Sequence, residues 1–143
     1  MSNTNGKHIA IVANDAGAAV HIFAWLQTGL LSINQCRFCL EGPAAKLFQD
    51  KQPNIKLFSL DDVLIGAETL LTGTGWSSSL EHNARILAKN KSIKSIAVID
   101  NWVNYKERFI RDNLLILPEV IWVFDEYAYK EAKRCFPDIK IVK

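Results

Sequence analysis

Short apolar runs alternate along the chain with segments of helical periodicity. The first run, over 8–13, is continuously apolar after its first residue, which is typical of a strand covered on both faces of a sheet. Residues 16–28 follow with apolar side chains on nearly all sides, and they predict a helix that ends at Gly29. This alternation predicts β-α units around a parallel sheet.

The alternation continues to the end of the chain. Further strands are predicted over 35–40, 55–58, 68–72, 95–100 and 120–125, with an edge strand over 139–142. Additional helices are predicted over 44–50 and over 126–136, and a short helix is predicted to begin at Ser59. Six β-α units of this length predict a Rossmann-like sheet with the strand order 3-2-1-4-5-6, where the predicted strands are numbered in chain order. The predicted fold is therefore α/β: a three-layer, doubly wound, mainly parallel sheet of about six strands.

The clearest predicted helix begins near residue 80. Residues 78–81 match a capping box, in which a serine and a glutamate bond to each other's backbone. One apolar stripe on this helix consists of Leu80, Ala84, Leu87 and Ala88. The opposite face carries Glu81, His82, Arg85 and Lys89. We expect that polar face to be solvated.

Length and composition fit one soluble globular domain over residues 1–143, in which residues 1–6 form a flexible tail. The chain is 49% hydrophobic and 22% charged, a balance far from that of disordered proteins. Because the formal net charge is only +2, no nucleic-acid partner is expected. The amino terminus lacks the apolar centre of a secretory signal, and the longest mostly apolar stretch, 16–26, is too short to span a bilayer. We therefore expect a cytoplasmic location.

The three cysteines do not form a disulfide framework or a metal site. Cys36 and Cys39 fall on a predicted strand, where a spacing of three residues puts them on opposite faces. Cys135 lies late in a predicted helix and is expected to pack in the core. No second cysteine pair completes a zinc site, so no metal is expected.

Small and glycine-rich loops follow the first and fourth predicted strands. The first loop contains Asn14, Asp15 and Gly17 and opens a helix, whose free N–H groups can meet a ligand. Asp15 is either a helix cap or a general base. With a single glycine, this loop lacks the dinucleotide fingerprint.

The second loop presents backbone N–H groups and hydroxyls to an anion, or it is a tight turn whose glycines accommodate positive φ. Its candidate ligand-binding residues are Gly73, Thr74, Gly75, Trp76, Ser77 and Ser78. It has no P-loop lysine, so ATP hydrolysis is not expected. Because the first and fourth strands flank the switch point of the predicted order, loops 14–17 and 73–78 are expected to lie side by side.

A third polar loop follows the fifth predicted strand. Aromatic rings can stack on the apolar faces of sugars, Asp and Asn can bond their hydroxyls, and Arg can hold a phosphate. The candidates for these roles are Asp100, Asn101, Trp102, Asn104, Tyr105 and Arg108. The alternative is that the rings pack beneath the end of the sheet and the charges are solvated.

Three segments fit one family pattern. They are 72–76 with Leu80 and Glu81, 99–105 with Arg108 and Phe109, and 117–119 with 121–123 and Asp125. Together they resemble the amino-terminal Rossmann half of bacterial surface-polysaccharide glycosyltransferase-like proteins of the two-domain GT-B type, over essentially the whole chain. Asn101 departs from the family pattern, since a histidine is expected there between the aspartate and the tryptophan.

The resemblance implies a role on the acceptor side of glycosyl transfer. In GT-B enzymes the amino-terminal domain binds the acceptor and commonly supplies the base, while the second domain binds most of the nucleotide-sugar donor. Asp15 or Asp100 would then be the general base, and loop 73–78 would bind a phosphate or sugar hydroxyls. Catalysis would need a second domain or subunit, without a further cofactor. The alternative function is a non-catalytic nucleotide- or sugar-binding module.

The expected partners follow from the same interpretation. They are a nucleotide-sugar or sugar acceptor, peripheral contact with a membrane, and either a second copy or a partner GT-B domain. Self-association is also indicated by the first helix, because Ile22, Phe23 and Trp25 cannot all face one sheet.

Overall fold

Six parallel strands form the central sheet, and helices lie on both of its faces. The structure is a computed structural model that describes residues 7–75 and 78–143; the tail predicted at 1–6 lies outside these residues. The strands are β1 His8–Ala13, β2 Cys36–Leu40, β3 Ala67–Thr72, β4 Lys94–Val98, β5 Ile110–Arg111, β6 Leu114–Leu115, β7 Val120–Trp122 and β8 Lys140–Val142. The helices are α1 Ala16–Thr28, α2 Gly42–Lys51, α3 Leu60–Leu64, α4 Leu80–Asn90 and α5 Glu126–Cys135, with 3₁₀ turns at Ile33–Gln35 and Glu107–Phe109.

The strand order of the sheet is β2-β1-β3-β4-β7-β8, and β5 pairs with β6 in a separate antiparallel ribbon. The predicted α/β, Rossmann-like three-layer fold is confirmed. The third predicted strand, 55–58, is not a strand, since only a single parallel bridge joins Leu57 to Phe38 beside β2. The chain enters α3 at Leu60, two residues after the predicted strand ends.

Two predicted strands end earlier than expected. The strand predicted over 95–100 ends at Val98, and the one predicted over 120–125 ends at Trp122. Asp100 and Asp125 therefore lie in the loops that follow the strands. Asp125 is the N-cap of α5, and its side chain accepts the N–H of Ala128 at 2.7 Å.

Each face of the sheet has its own apolar core. On one face, α1 and α2 bury a cluster around Ile11, Phe38 and Phe48. On the other face, α3 and α4 pack over β1 and β3, while α5 and the segment after β4 pack over β4 and β7. The alternation of side chains along β1 supplies both faces, which explains why its sequence is continuously apolar.

Helix α1 ends as predicted, at Gly29, whose φ of +84° favours glycine. Ile22 and Phe23 are buried in the core of the domain. Trp25 packs edge-on against Trp122, with ring centroids 5.1 Å apart. The interpretation that these three side chains need a second chain to cover them is therefore wrong for Ile22 and Phe23, and self-association stays a prediction.

The cysteines lie as the strand period predicts. Cys36 packs against the cluster under α1 and α2, and Cys39 belongs to the cluster on the opposite face. Both are free thiols, and burial raises the pKa of each to about 11.

Among the residues that the structure describes, no helix is both long enough and apolar enough to cross a membrane.

Candidate functional site

The loops after β1 and β3 meet at the carboxyl edge of the sheet. A Cβ atom added to Gly75 would lie 2.7 Å from the Cβ of Asp15, so the two loops are in direct contact. The prediction that loops 14–17 and 73–78 lie side by side is confirmed for their described residues. Trp76 and Ser77, both predicted to bind a ligand here, lie outside the described residues.

One buried carboxylate joins these two loops. Glu81, in the first turn of α4, is 1% exposed. Its Oε1 accepts the N–H of Gly75 at 2.8 Å, and its Oε2 accepts the N–H of Asn14 at 3.2 Å. Burial raises the pKa of Glu81, while these two N–H groups and Arg85 act in the opposite direction. We call this arrangement the Glu81 clamp.

The Glu81 clamp replaces the capping box predicted over 78–81. Ser79 at the N-cap makes no side-chain capping bond, and the N–H of Leu80 instead bonds to Oγ of Ser78 at 3.0 Å. The side chain of Glu81 cannot close the box because it is bonded to the neighbouring loops. The capping box prediction is therefore wrong, although the helix itself begins where expected.

The polar face of α4 is buried rather than solvated. Its first-turn and second-turn residues Glu81, His82 and Arg85 are all at most 3% exposed. The segment that follows β4 covers Arg85, whose guanidinium lies 5.0 Å from the ring centroid of Phe109, and the loops after β1 and β3 enclose Glu81. The expectation of a solvated face is thus wrong for Glu81, His82 and Arg85, because other parts of the chain pack on them, and it is confirmed for Lys89, which is exposed.

Two arginines hold the carbonyl side of the glycine-rich loop. Arg85 donates to Oγ1 of Thr72 at 2.9 Å and to the carbonyl of Gly73 at 3.0 Å. Arg111 donates to the carbonyls of Gly75 and Ser78 at 3.0 and 3.2 Å. The described residues of the loop after β3 are therefore held through both backbone N–H and carbonyl groups.

Asp100 and Arg108 add a third loop to the site. The Asp100 carboxylate lies against Gly17 in the first turn of α1, where any Cβ would overlap it. Arg108 is 3% exposed, lies 3.8 Å from Asp100 and donates to the carbonyls of Thr74 and Val103 at 2.9 and 3.1 Å. Burial lowers the pKa of Arg108, and the nearby carboxylates, Asp100 first, oppose that shift. Arg108 thus joins the loops after β3 and β4.

The remaining predicted site residues divide between the core and the surface. Tyr105 is buried, with its hydroxyl bonded to the carbonyl of Asn101 at 2.6 Å, and burial raises its pKa to about 12. The side chain of Asn101 accepts the N–H of Val103 within its own loop, and Asn104 is exposed with a φ of +59°. Trp102 is 49% exposed. Its indole N–H donates to Asp125 at 3.0 Å, and its ring centroid lies 5.4 Å from that of Phe124.

Asp15 occupies the N-cap position of α1 but its side chain makes no capping bond. It lies against Gly75, while Glu81 and Asp100 contact the loops on either side. Three carboxylates, Asp15, Glu81 and Asp100, therefore gather where the loops after β1, β3 and β4 meet. No group of three or more His, Cys, Asp and Glu side chains suited to a metal ion occurs among the described residues.

The sequence matches no family model. Comparisons with curated proteins and with solved structures give no match either. The family resemblance drawn from the sequence motifs therefore stays a prediction.

Sequence reasoning missed three residues that shape the site: Glu81, Arg85 and Arg111. A usable signal was present, because Glu81 and Arg85 are charged residues in the first two turns of a helix that begins directly after a glycine-rich loop. The first turn of such a helix points toward the loop, so these side chains can reach its backbone.

We expect His82 to make the protein less stable as the pH falls. Burial first, and then Arg85 and Arg111, lower its pKa from the ordinary value of 6.5, whereas Asp112 acts in the opposite direction. Its Nδ1 makes no hydrogen bond within the described structure. The unfolded chain therefore binds a proton at higher pH than the folded chain does. Stability is full above pH 6.5 and is lost as the pH falls through the folded pKa, with a slope of at most about 1.4 kcal/mol per pH unit.

Urea unfolding of the wild type and of His82→Gln between pH 5 and pH 8 measures this effect. The wild type should lose more stability toward acid pH than the variant. Parallel pH profiles would show that His82 is not the group responsible.

Proposed function

We propose that this domain binds a neutral, hydroxyl-rich sugar where the loops after β1, β3 and β4 meet. In this proposal it is the acceptor-side domain of a GT-B-type glycosyltransferase in surface-polysaccharide biosynthesis, and a second domain or subunit completes the enzyme. The observation that carries the proposal is the gathering of Asp15, Glu81 and Asp100 at the switch point of the sheet, where ligands of doubly wound folds bind. A cytoplasmic location and peripheral membrane contact belong to the same proposal.

The backbone N–H groups at this site are already bonded to carboxylates, which favours a ligand with sugar hydroxyls over one with a phosphate. Phosphates in such folds bind the N–H groups of the loop and of the helix N-terminus. Here the N–H groups of Asn14 and Gly75 are bonded to Glu81, and the Asp100 carboxylate lies against Gly17. A diphosphate would have to displace these carboxylates and would be repelled by their charge. Hydroxyl groups can donate to the partly exposed carboxylates of Asp15 and Asp100, so they suit the same surface.

Trp102 supplies a surface on which a sugar ring can stack. The indole is half exposed, yet its position is set by the bond to Asp125 and by contact with Phe124. It lies two residues after Asp100 in the chain, and its ring contacts Asp125 and Phe124. A pyranose has an apolar face that stacks on an aromatic ring and hydroxyl groups that donate to a carboxylate, so a loop that carries both Trp102 and Asp100 fits both sides of the sugar.

The chemistry assigned to the site is removal of a proton from the acceptor. As the acceptor oxygen forms its bond to the anomeric carbon of the donor, a carboxylate takes the hydroxyl proton and the nucleoside diphosphate leaves with the bonding electrons. Of the two predicted bases, we favour Asp15, because Asp100 is engaged by Arg108 and Gly17. The donor would be held by the second domain or subunit.

A non-catalytic sugar-binding module is the alternative, and the Arg108–Asp100 pair favours it, since it commits one of the two predicted bases to a structural contact. The Asp15→Asn variant separates the two functions once a partner is in hand. An enzyme loses glycosyl transfer while it keeps acceptor binding, whereas a binding module shows no transfer in either form.

Replacing Trp102 with alanine should weaken sugar binding by about tenfold, the value of one lost stacking contact. The melting temperature should change little, because the side chain is half exposed. Saturation-transfer NMR against a panel of monosaccharides and disaccharides, with thermal shift measurements for UDP, GDP and CMP, tests this. Tyr127→Ala removes an aromatic ring that is also exposed but lies on α5, and it serves as the matched control. Tight binding of a nucleotide that Trp102→Ala leaves unchanged would contradict the proposal.

A further inference from the structure

A cavity of about 450 Å³ lies beside α1, away from the loop after β3. Its walls come from α1 and the residues that follow it, from the ends of β4 and β7, and from β8. Volumes in this range are typical of small-molecule sites. The cavity contains none of the three carboxylates described above, so it is a second site.

Aromatic rings form much of the cavity wall. Trp25 and Trp122 meet edge to face, with ring centroids 5.1 Å apart, and His21 stacks on Phe124 at 5.8 Å and an interplanar angle of 26°. Nearly all the other lining residues are aliphatic. Flat walls of this kind make their best contacts with a flat ring, which can stack on one wall and meet another with its edge.

The charges at the cavity favour an anion. Lys143 is the one charged side chain among the described residues that line the cavity, and the ring of His21 adds a nitrogen that can form a hydrogen bond. Lys143 pairs with Glu126 at 3.1 Å, but both side chains are half exposed or more. A pair this exposed contributes little stability, so the ammonium can turn to a bound anion. The few polar side chains make the cavity unsuited to a free sugar, which needs many hydrogen bonds.

We propose that this cavity binds a flat aromatic molecule that carries a single acidic group, such as a carboxylate. The ring lies among Trp25, Trp122 and Phe124, and the acidic group faces His21 and Lys143. This inference does not depend on the proposed sugar site, although the two sites adjoin where Phe124 of the cavity wall packs against Trp102.

Isothermal titration calorimetry with 2-naphthoate tests the proposal, with 2-naphthalenemethanol and decanoate for comparison. The alcohol lacks the charge, and decanoate has the charge on a flexible chain. We expect saturable binding of one 2-naphthoate per chain and at least about tenfold weaker binding of each comparison compound. In NMR spectra the indole N–H signals of Trp25 and Trp122, assigned with Trp→Phe variants, should shift on binding.

Charge variants at an exposed position locate the binding. Leu30 lines the cavity and is 76% exposed, so Leu30→Asp and Leu30→Lys both leave the core intact. Leu30→Asp should weaken 2-naphthoate binding about tenfold, and Leu30→Lys should not weaken it. Val20→Asp, at a residue of α1 that is 53% exposed and outside the cavity lining, is the matched control. Binding of decanoate as tight as that of 2-naphthoate, equal losses in Leu30→Asp and Val20→Asp, or no saturable binding would overturn the proposal.

Discussion

Replacing Glu81 with alanine is expected to lower the free energy of unfolding by about 3–5 kcal/mol, because a buried charged partner is removed. The N–H groups of Asn14 and Gly75 would lose their acceptor, and the buried guanidinium of Arg85 would lose a carboxylate that stabilises its charge. Glu81→Gln should cost less, since an amide oxygen can still accept one of the two N–H groups. Urea denaturation of the purified variants gives both values.

Glu126→Ala is the matched control for Glu81→Ala. Glu126 is also a first-turn glutamate, on α5, but its side chain is mostly exposed and its contact is the surface pair with Lys143. Its removal should change stability little. If the two alanine variants had similar stabilities, the Glu81 clamp would not be a main support of the loops.

Replacing Arg108 with alanine should also cost about 3–5 kcal/mol, since Asp100 would be left without its cation in a largely buried position. The carbonyls of Thr74 and Val103 would lose their donor as well. Arg108→Lys should recover only part of the loss, because one ammonium cannot reproduce the fork of a guanidinium. Thermal and urea unfolding both report the change.

Arg134 provides the comparison for Arg108. It pairs with Glu131 at 2.6 Å, a shorter contact than that between Arg108 and Asp100, but its side chain is 70% exposed. Arg134→Ala should therefore leave stability nearly unchanged. A larger loss in Arg134→Ala than in Arg108→Ala would refute the assignment of Arg108 to the support of the site.

The fold was predictable because its strands are short, apolar and separated by helical segments. β1 could be predicted as a strand covered on both faces of the sheet from its uninterrupted apolar run, and the contact between loops 14–17 and 73–78 followed from the strand order. The strand predicted at 55–58 failed because apolar content alone does not show how many residues find a partner strand.

The interior of the site was not predictable from local patterns. Glu81, His82 and Arg85 fall on the polar face of α4, and periodicity assigns such residues to solvent. The loops after β1 and β3 enclose Glu81, and Phe109, in the segment after β4, covers Arg85. The periodicity of α4 carries no information on either contact. Arg108 bonds to Thr74, 34 residues earlier in the chain, and a contact of that separation leaves no signal in a local window.

The Glu81 clamp also bears on the entropy of ligand binding. Glu81 ties down the N–H groups of the loops after β1 and β3, and Arg85 and Arg111 tie down carbonyls of the loop after β3. The backbone of these bonded residues has little conformational freedom to lose when a ligand arrives. A ligand that contacts them therefore meets a preorganised surface, and side chains such as Asp15 set the affinity of that contact more than the cost of ordering this part of the backbone does.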